Sequence, residues 1–362
     1  IDVGSSGAET DSGPTGLQYH FIWVTIDSTG ITIAPIKKGS VLSADELLSS
    51  ELKLIDKMNN WGVTFEKPLP IGGNLALLGN ETKVKLRNLN SQLALTDTLR
   101  WEISPGWSVE PPLYPLNIKA GDSLLTKFTF KLIGSPYPAP TLWFHFSYAQ
   151  GKPPAVVKTP LVIIRETDCY RAAVPPIIDG ELSEAVWKSP NTRLFAPDGT
   201  PVRVDSTSFY FAYDDSNLYL GALCYEPKMD SMTAAVTDRD GPIYMEDCVG
   251  YFFQPDRHKG LVYQIYFNPL GTPFDQKIVI DSNSRVTADR TWNGNYEVKT
   301  TKGGHSWSLE ARIPLSQLGA AMPPGFEWGI NFRRKQPRVA SAADWQVPLD
   351  ANPKLLGRLV IE

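Results

Sequence analysis

Asp238-Arg239-Asp240-Gly241 followed by Glu246-Asp247 places four carboxylates within ten residues, beside a glycine turn. Carboxylate oxygens are hard ligands, and a cluster of them suits Ca2+. The spacing departs from that of a full EF-hand loop, and acidic loops are commonly just solvated. A structural calcium on Asp238, Asp240, Glu246 and Asp247 is therefore the metal expectation. The second chemistry these residue types could serve is stacking on a ring-shaped ligand with polar contacts around its edge, as a sugar would need. A sugar ring has an apolar C–H face and a rim of hydroxyls, so its sites join an aromatic plate to side chains that hydrogen-bond the rim. Ten Trp and 11% aromatics are the one compositional excess. Trp292 stands in the polar loop ADRTWNGNY, where an amphipathic ring suits a ligand or a sheet edge equally. Gln264, in VYQIYFNP, faces away from Tyr263 and Ile265 in a strand and offers an amide donor and acceptor. Arg333 and Arg334 alternate faces, so only one can enter a site, and Arg333 is the candidate. The plainer role for either is a carboxylate pair inside the fold.

Other chemistries lack their residues. The four His, at 20, 145, 258 and 305, are far apart, and the three Cys, at 169, 224 and 248, form no C-x-x-C and no disulfide framework. There is no G-x-S-x-G, P-loop, G-x-G-x-x-G or H-E-x-x-H. Carboxylates are plentiful, but sequence alone cannot pair two of them across a glycosidic bond. Lys+Arg 35 against Asp+Glu 39 leaves a formal charge of -4, without the basic footprint of a nucleic-acid binder. No apolar run approaches the roughly 18 residues of a membrane span. The reading is of a chain that is not an enzyme.

The elements that must position these residues are mostly strands. Residues 17–36 alternate around Asp27-Ser28-Thr29-Gly30, which predicts a hairpin. Residues 43–58 switch to helical spacing, with Leu47, Leu48, Leu52, Ile55 and Met58 on one face, a capping box at Ser43 and Glu46, and a stop at Trp61-Gly62. From 70 to 166, short strands recur between Pro/Gly/Asn/Asp turns every 8–15 residues, as in a β-sandwich. Residues 167–175 read as a linker. Beyond it come SFYFAYD, LYLGALCYE, CVGYFFQP, VYQIYFNP, YEVKTT, WSLEARIP and WGINFRR, with a turn at 214–217 and short helices at 183–187 and 314–318. Trp187, Trp307 and Trp328 sit in alternating apolar patterns and read as core. The fold expected is all-β: a hairpin plus helix over 1–66, an Ig-like β-sandwich over 67–168, and a second sandwich over 169–362.

Seven segments, in order, carry a resemblance. They are Ile178-Asp179-Gly180-Glu181-Leu182 with Trp187; Ala212-Tyr213-Asp214-Asp215 with Leu218-Tyr219-Leu220; Glu246-Asp247-Cys248-Val249 with Tyr251-Phe252-Phe253; Tyr266 to Thr272; Trp307 to Pro314; Trp328 to Arg334; and Asn352-Pro353 to Gly357. Over about 185 residues this half resembles the family 9 carbohydrate-binding modules. The resemblance implies a sandwich in which two rings clamp a terminal sugar. It places the first ring at Tyr244. The second falls at Asp350, which is not aromatic, with Trp345 close by. The family often carries structural calcium, which adds to the expectation above. Leu86-Arg87-Asn88, Trp101-Glu102-Ile103, Pro105-Gly106-Trp107 and Ile118 to Asp122 make 70–166 look like an Ig-like module. Gly16 to Phe21 and Ile36 to Leu42 look like the end of a calcineurin-like metallophosphoesterase, without its metal ligands.

The resulting expectation is a non-catalytic region that binds a polysaccharide or oligosaccharide through Tyr244, Trp292, Trp345, Gln264 and Arg333. The small polar opening from Ile1 suggests a piece of a longer extracellular or periplasmic protein, with a catalytic domain upstream. Two rivals remain: a docking module that has lost its clamp, and the C-terminal part of a metallophosphoesterase or glycoside hydrolase.

Overall fold

A computed structural model of the chain describes residues 20–28, 30–37, 40–41, 47–187, 189–196, 202–281, 285–347 and 356–362. Asp350, the Ser43–Glu46 capping box and Asn352-Pro353 lie outside the described residues, as does the polar opening. The chain divides into two compact units. The first takes the described residues up to Pro68, with Asn80–Leu132 and Ala139–Val162; the second takes Leu69–Gly79, Ile133–Pro138 and Ile163–Glu362.

In the first unit β1 (His20–Asp27) and β2 (Gly30–Lys37) form the expected hairpin, with Asp27 opposite Gly30, and β3 (Ser40–Val41) extends it. Helix α1 spans Ser49–Trp61. The Leu48 N–H donates to the Glu51 carboxylate at 2.7 Å, which satisfies one of the free donors at the helix start. The Gly62 N–H closes the far end on the Met58 carbonyl at 2.9 Å. Ile55 and Met58 are buried, but Leu48 and Leu52 are exposed, so the packed stripe is narrower than the spacing predicts.

After β4 (Val63–Phe65) the chain lends β5 (Leu69–Ile71) to the second unit. It then returns as β6 (Glu81–Arg87), β7 (Leu95–Glu102), β8 (Trp107–Glu110), β9 (Leu113–Ile118), β10 (Ser123–Leu132), β11 (Thr141–Phe146) and β12 (Ala155–Pro160). These make two four-stranded sheets, ordered β4-β6-β10-β8 and β12-β11-β7-β9. Alternation explains the burial: in β6 Val84 and Leu86 point in while Lys83 and Lys85 face water. Trp101 from one sheet packs edge-on against Phe128 and Phe130 of the other, each at 5.3 Å.

The second unit grows from β13 (Ile163–Arg171), which includes most of the stretch read as a linker. It runs parallel to β5 along its first residues. The later strands are β14 (Thr207–Tyr213), β15 (Asn217–Tyr225), β16 (Cys248–Gln254), β17 (Leu261–Phe267), β18 (Pro273–Ile280), β19 (Val286–Asp289), β20 (Glu297–Lys302), β21 (Ser306–Pro314), β22 (Glu327–Gln336), β23 (Ser341–Asp344) and β24 (Gly357–Ile361). Their order is β19-β18-β17-β16-β22-β24-β13-β14-β15-β21-β20. β13 joins the two halves of this path, parallel to β24 at Glu166–Cys169 and to β14 at Tyr170–Arg171. The halves face each other across one core. Phe209 of β14 meets Phe332 of β22 at 4.4 Å and Tyr251 of β16 at 5.5 Å. Trp307 and Trp328 are fully buried in that core, and Trp187 is buried in a smaller cluster, all as expected. Pro314 precedes a 3-10 turn at Leu315–Leu318, whereas 183–187 forms turns and not a helix.

Two sequence motifs turn out to be architectural. Buried Glu310 of β21 accepts from the N–H groups of Asp179 and Gly180 at 2.9 and 2.8 Å, and from Trp187 Nε1 at 2.7 Å. It thereby pins the I-D-G segment onto the sheet. Gly180 has φ 92, and a Cβ there would stand 2.9 Å from the Thr300 carbonyl carbon, so the position requires glycine. Asp214 closes the β14–β15 turn by accepting from the N–H groups of Ser216 and Asn217, both at 2.7 Å.

Candidate functional site

The half-sheet β18-β17-β16-β22 has two faces. Tyr263, Ile265 and Phe267, with Val249, Tyr251 and Phe253, point into the core. The opposite face carries Gln264 and Tyr266 on β17, Cys248, Gly250 and Phe252 on β16, and Phe274 and Gln276 on β18. Register brings four of its positions into one row across four strands: Arg333, Gly250, Tyr266 and Phe274. The missing side chain of Gly250 is what admits the row. A Cβ there would stand 2.7 Å from Cδ1 and 2.8 Å from Cζ of Tyr266, and closer still to Cε1. The Tyr266 ring therefore lies over Gly250, toward Arg333. One step along the strands, Gln264 and Gln276 are directly opposite each other.

These groups form a continuous polar line. Arg333 Nε and Nη2 donate to the two Asp344 carboxylate oxygens at 2.6 and 2.9 Å, a bidentate pair. Gln264 Nε2 donates to the Tyr266 hydroxyl at 3.4 Å, Gln276 Nε2 donates to Gln264 Oε1, and Arg290 Nε donates to Gln276 Oε1 at 3.3 Å. Beneath the line is an apolar floor. Phe252, Tyr266, Phe274, Val262 and Ile278 are nearly fully buried, with Ile243 beside them. Tyr244 stands at its edge. The residue is 39% exposed and its ring meets Phe274 edge-on at 5.2 Å. The Arg290 guanidinium lies 5.8 Å from the centre of Phe274. Burial pushes the Tyr266 hydroxyl above its ordinary pKa, against the pull of Arg333. Burial also opposes the charge on Arg333, but its bonds to Asp344 outweigh this and hold the guanidinium above its usual value.

The sequence candidates therefore separate. Tyr244, Gln264 and Arg333 share this face. Trp292 does not: its ring packs on Tyr263 at 4.9 Å and on Tyr296 at 6.5 Å, against the main core, with the Lys277 ammonium 5.6 Å away. Trp345 is a correction. It is fully buried, stacked on Phe332 at 5.0 Å and covered by the Arg165 guanidinium at 4.7 Å, so a sugar cannot reach it. Of the four residues expected to hold calcium, Glu246 and Asp247 are committed to other partners. Glu246 is buried and accepts from the N–H groups of Ala235 and Val236 and from Asn268. Asp247 is buried against Arg334 at 2.8 Å and accepts from the Thr233 N–H. Asp240 accepts from the Asp275 N–H at 3.2 Å. Donors thus occupy both oxygens of Glu246 and of Asp247. Among the described residues no donor reaches the Asp238 carboxylate, and no cluster of three or more His, Cys, Asp or Glu is able to bind a metal.

Tyr266, Phe274, Gln276, Arg290, Gly250 and Asp344 escaped the sequence reading. The one signal available was a Gln inside each of two neighbouring apolar strands, and only the register shows that the two meet.

No protein-family model matches this chain, and no curated protein matches it. Solved structures do. One is a carbohydrate-binding module of family 9 from Caldicellulosiruptor kristjanssonii in complex with cellotriose, 20% identical, covering 54% of this chain and 94% of that one, with a TM-score of 0.38. The module in complex with glucose has a TM-score of 0.36 at 20% identity, with 54% and 96% covered. A Bacteroides uniformis protein described as a candidate carbohydrate-binding protein is 18% identical, covering 54% and 99%, with a TM-score of 0.44. Scores this low leave the site to be read from its own residues.

Proposed function

We propose that the second unit binds carbohydrate on the outer face of β18-β17-β16-β22, and that it does so without catalysis. One observation carries this reading: a half-exposed line of amide and guanidinium groups, backed by the buried Tyr266 hydroxyl, crosses an aromatic floor, with a partly exposed tyrosine ring at its edge. The ring suits the C–H face of a sugar, and the line supplies both donors and acceptors for hydroxyls. The carboxylate on this face, Asp344, is tied by two Arg333 nitrogens, which supports a binding role over acid–base work. In this reading the first unit contributes an Ig-like spacer. Attachment to a glycan, outside the cell or in the periplasm, raises the local concentration of a catalytic partner.

Affinity electrophoresis on soluble polysaccharides tests the proposal. At least one glycan should retard the protein. Tyr244→Ala should weaken that binding about tenfold, the order expected for a lost stacking contact. A folded protein that no glycan retards, or full retardation of the variant, contradicts it.

A further inference from the structure

We propose that the glycan taken by this face is acidic, a chain bearing uronic acid carboxylates. The inference rests on the carbohydrate reading above and adds the charge of the ligand. Arg290 is exposed yet held in place: its guanidinium lies over the Phe274 ring and its Nε is bonded to Gln276. Among the described residues no carboxylate pairs with it. An arginine fixed by ring contact and by Nε, with its terminal nitrogens unpaired, is a fork already set for a carboxylate.

A second unpaired cation stands at the other side of the face. Lys335 follows Arg333 by two positions on β22, so both project to the same side, opposite Cys248 and Ala342. It too has no ion pair among the described residues. The carboxylates that might have neutralised these groups are engaged elsewhere. Asp344 is held by Arg333, and Asp247 by Arg334. Asp289, next to Arg290 in sequence, turns Oδ1 to the Thr291 N–H at 2.9 Å and hydroxyl at 2.6 Å and makes no ion pair with Arg290. Glu246 is turned inward to backbone N–H groups. A chain with a formal charge of -4 thus keeps a cation without an ion pair among the described residues at each end of one polar line. Arg290 reaches β18 at Gln276, whose register partner on β22 is Asn331; Lys335 lies three strand spacings across and four residues farther along, roughly 20 Å away. A single sugar cannot touch both, so the ligand is an oligomer with carboxylates on more than one unit.

The test compares one backbone with and without its charge: polygalacturonate against the same chain fully methyl-esterified. Alginate and a neutral β-glucan complete the panel, with titration calorimetry on the full chain. The expected result is at least tenfold tighter binding of the charged chains, weakening as salt rises. Arg290→Gln should lose about tenfold and Lys335→Gln a few-fold on the charged ligand. Arg290→Lys should lose part of the affinity, because the charge stays and the fork goes. Lys299→Gln, on β20, should change nothing. Equal or tighter binding of esterified or neutral chains overturns the acidic assignment and leaves the carbohydrate reading standing. The same holds if polyuronate binding is indifferent to Arg290→Gln. If the folded protein binds none of the four, the acidic assignment fails, and the carbohydrate reading fails with it only if the wider electrophoresis screen also finds no glycan that retards the protein.

Discussion

Gly250→Ala is the sharpest single perturbation of the face. The added methyl would enter the Tyr266 ring, within 2.8 Å of three of its atoms. Neither partner can yield easily. Gly250 is central in β16, paired to β17 on one side and β22 on the other, and Tyr266 is 5% exposed. Overpacking of this kind costs about 1–3 kcal/mol. For a unit of this size about 2 kcal/mol lowers the melting temperature by roughly 4–8 °C. The ring must swing off Gly250, carrying its hydroxyl away from Gln264 and from the Arg333 side of the row. Glycan affinity should therefore fall in the folded variant, by about tenfold if one hydrogen-bonding group and its aligned neighbour are displaced. Tyr266→Phe separates the two effects, because it keeps the ring and removes only the hydroxyl. Thermal denaturation and calorimetric titration of both variants provide the measurement. A Gly250→Ala protein with unchanged melting temperature and unchanged affinity refutes the placement of Tyr266 and the row built on it.

Three further outcomes follow from the same geometry. Asp247→Asn leaves Arg334 charged and fully buried without its partner, so chemical denaturation should show a loss of about 3–5 kcal/mol; a loss under about 1 kcal/mol contradicts the buried pair. Burial raises the pKa of Glu310 above its ordinary 4.5 despite three N–H donors, so its contribution is full in acid and is lost as pH rises through the folded value. Glu310→Gln turns an NH2 toward those donors and should cost about 1–3 kcal/mol. That penalty should shrink between pH 4 and pH 7, and a penalty that grows with pH contradicts the sign. Chelation with EDTA should leave the melting temperature unchanged, because donors already occupy Glu246 and Asp247; a fall of several degrees would show that the acidic segment holds a cation after all.

Local patterns were legible in the sequence wherever one face of an element meets water. Alternation located most strands, and the polar turns at 27–30 and 214–217 lie where their side chains predict. Gln264 was legible for the same reason, since its neighbours Tyr263 and Ile265 are unmistakably core. What stayed hidden was pairing at long range. Nothing in residues 163–171 announces one strand that serves three parallel neighbours, so its second half, from 167, read as the start of a linker. Trp345 entered as a candidate only because the resemblance puts the second ring close to it; in the fold Asp344 pairs with Arg333 and Gln346 Nε2 donates to the Ile163 carbonyl, which lets the indole between them sink. The acidic run from Asp238 to Asp247 has the composition of a cation loop, but its partners, Arg334 and the N–H groups of Thr233, Ala235 and Val236, are fixed by the fold and not by spacing. Gly250 shows the limit most plainly: its meaning lies in a ring from another strand.

The most direct test of the central claim is where a bound glycan touches the protein. Amide and side-chain resonances of the full chain, followed through a titration with the best-retained oligosaccharide, should shift at Tyr244, Gln264, Tyr266, Gln276, Arg290 and Arg333, with Trp292 and Trp345 little affected. Saturable shifts confined to any other surface, or none at concentrations that retard the protein in a gel, would contradict the assignment of this face.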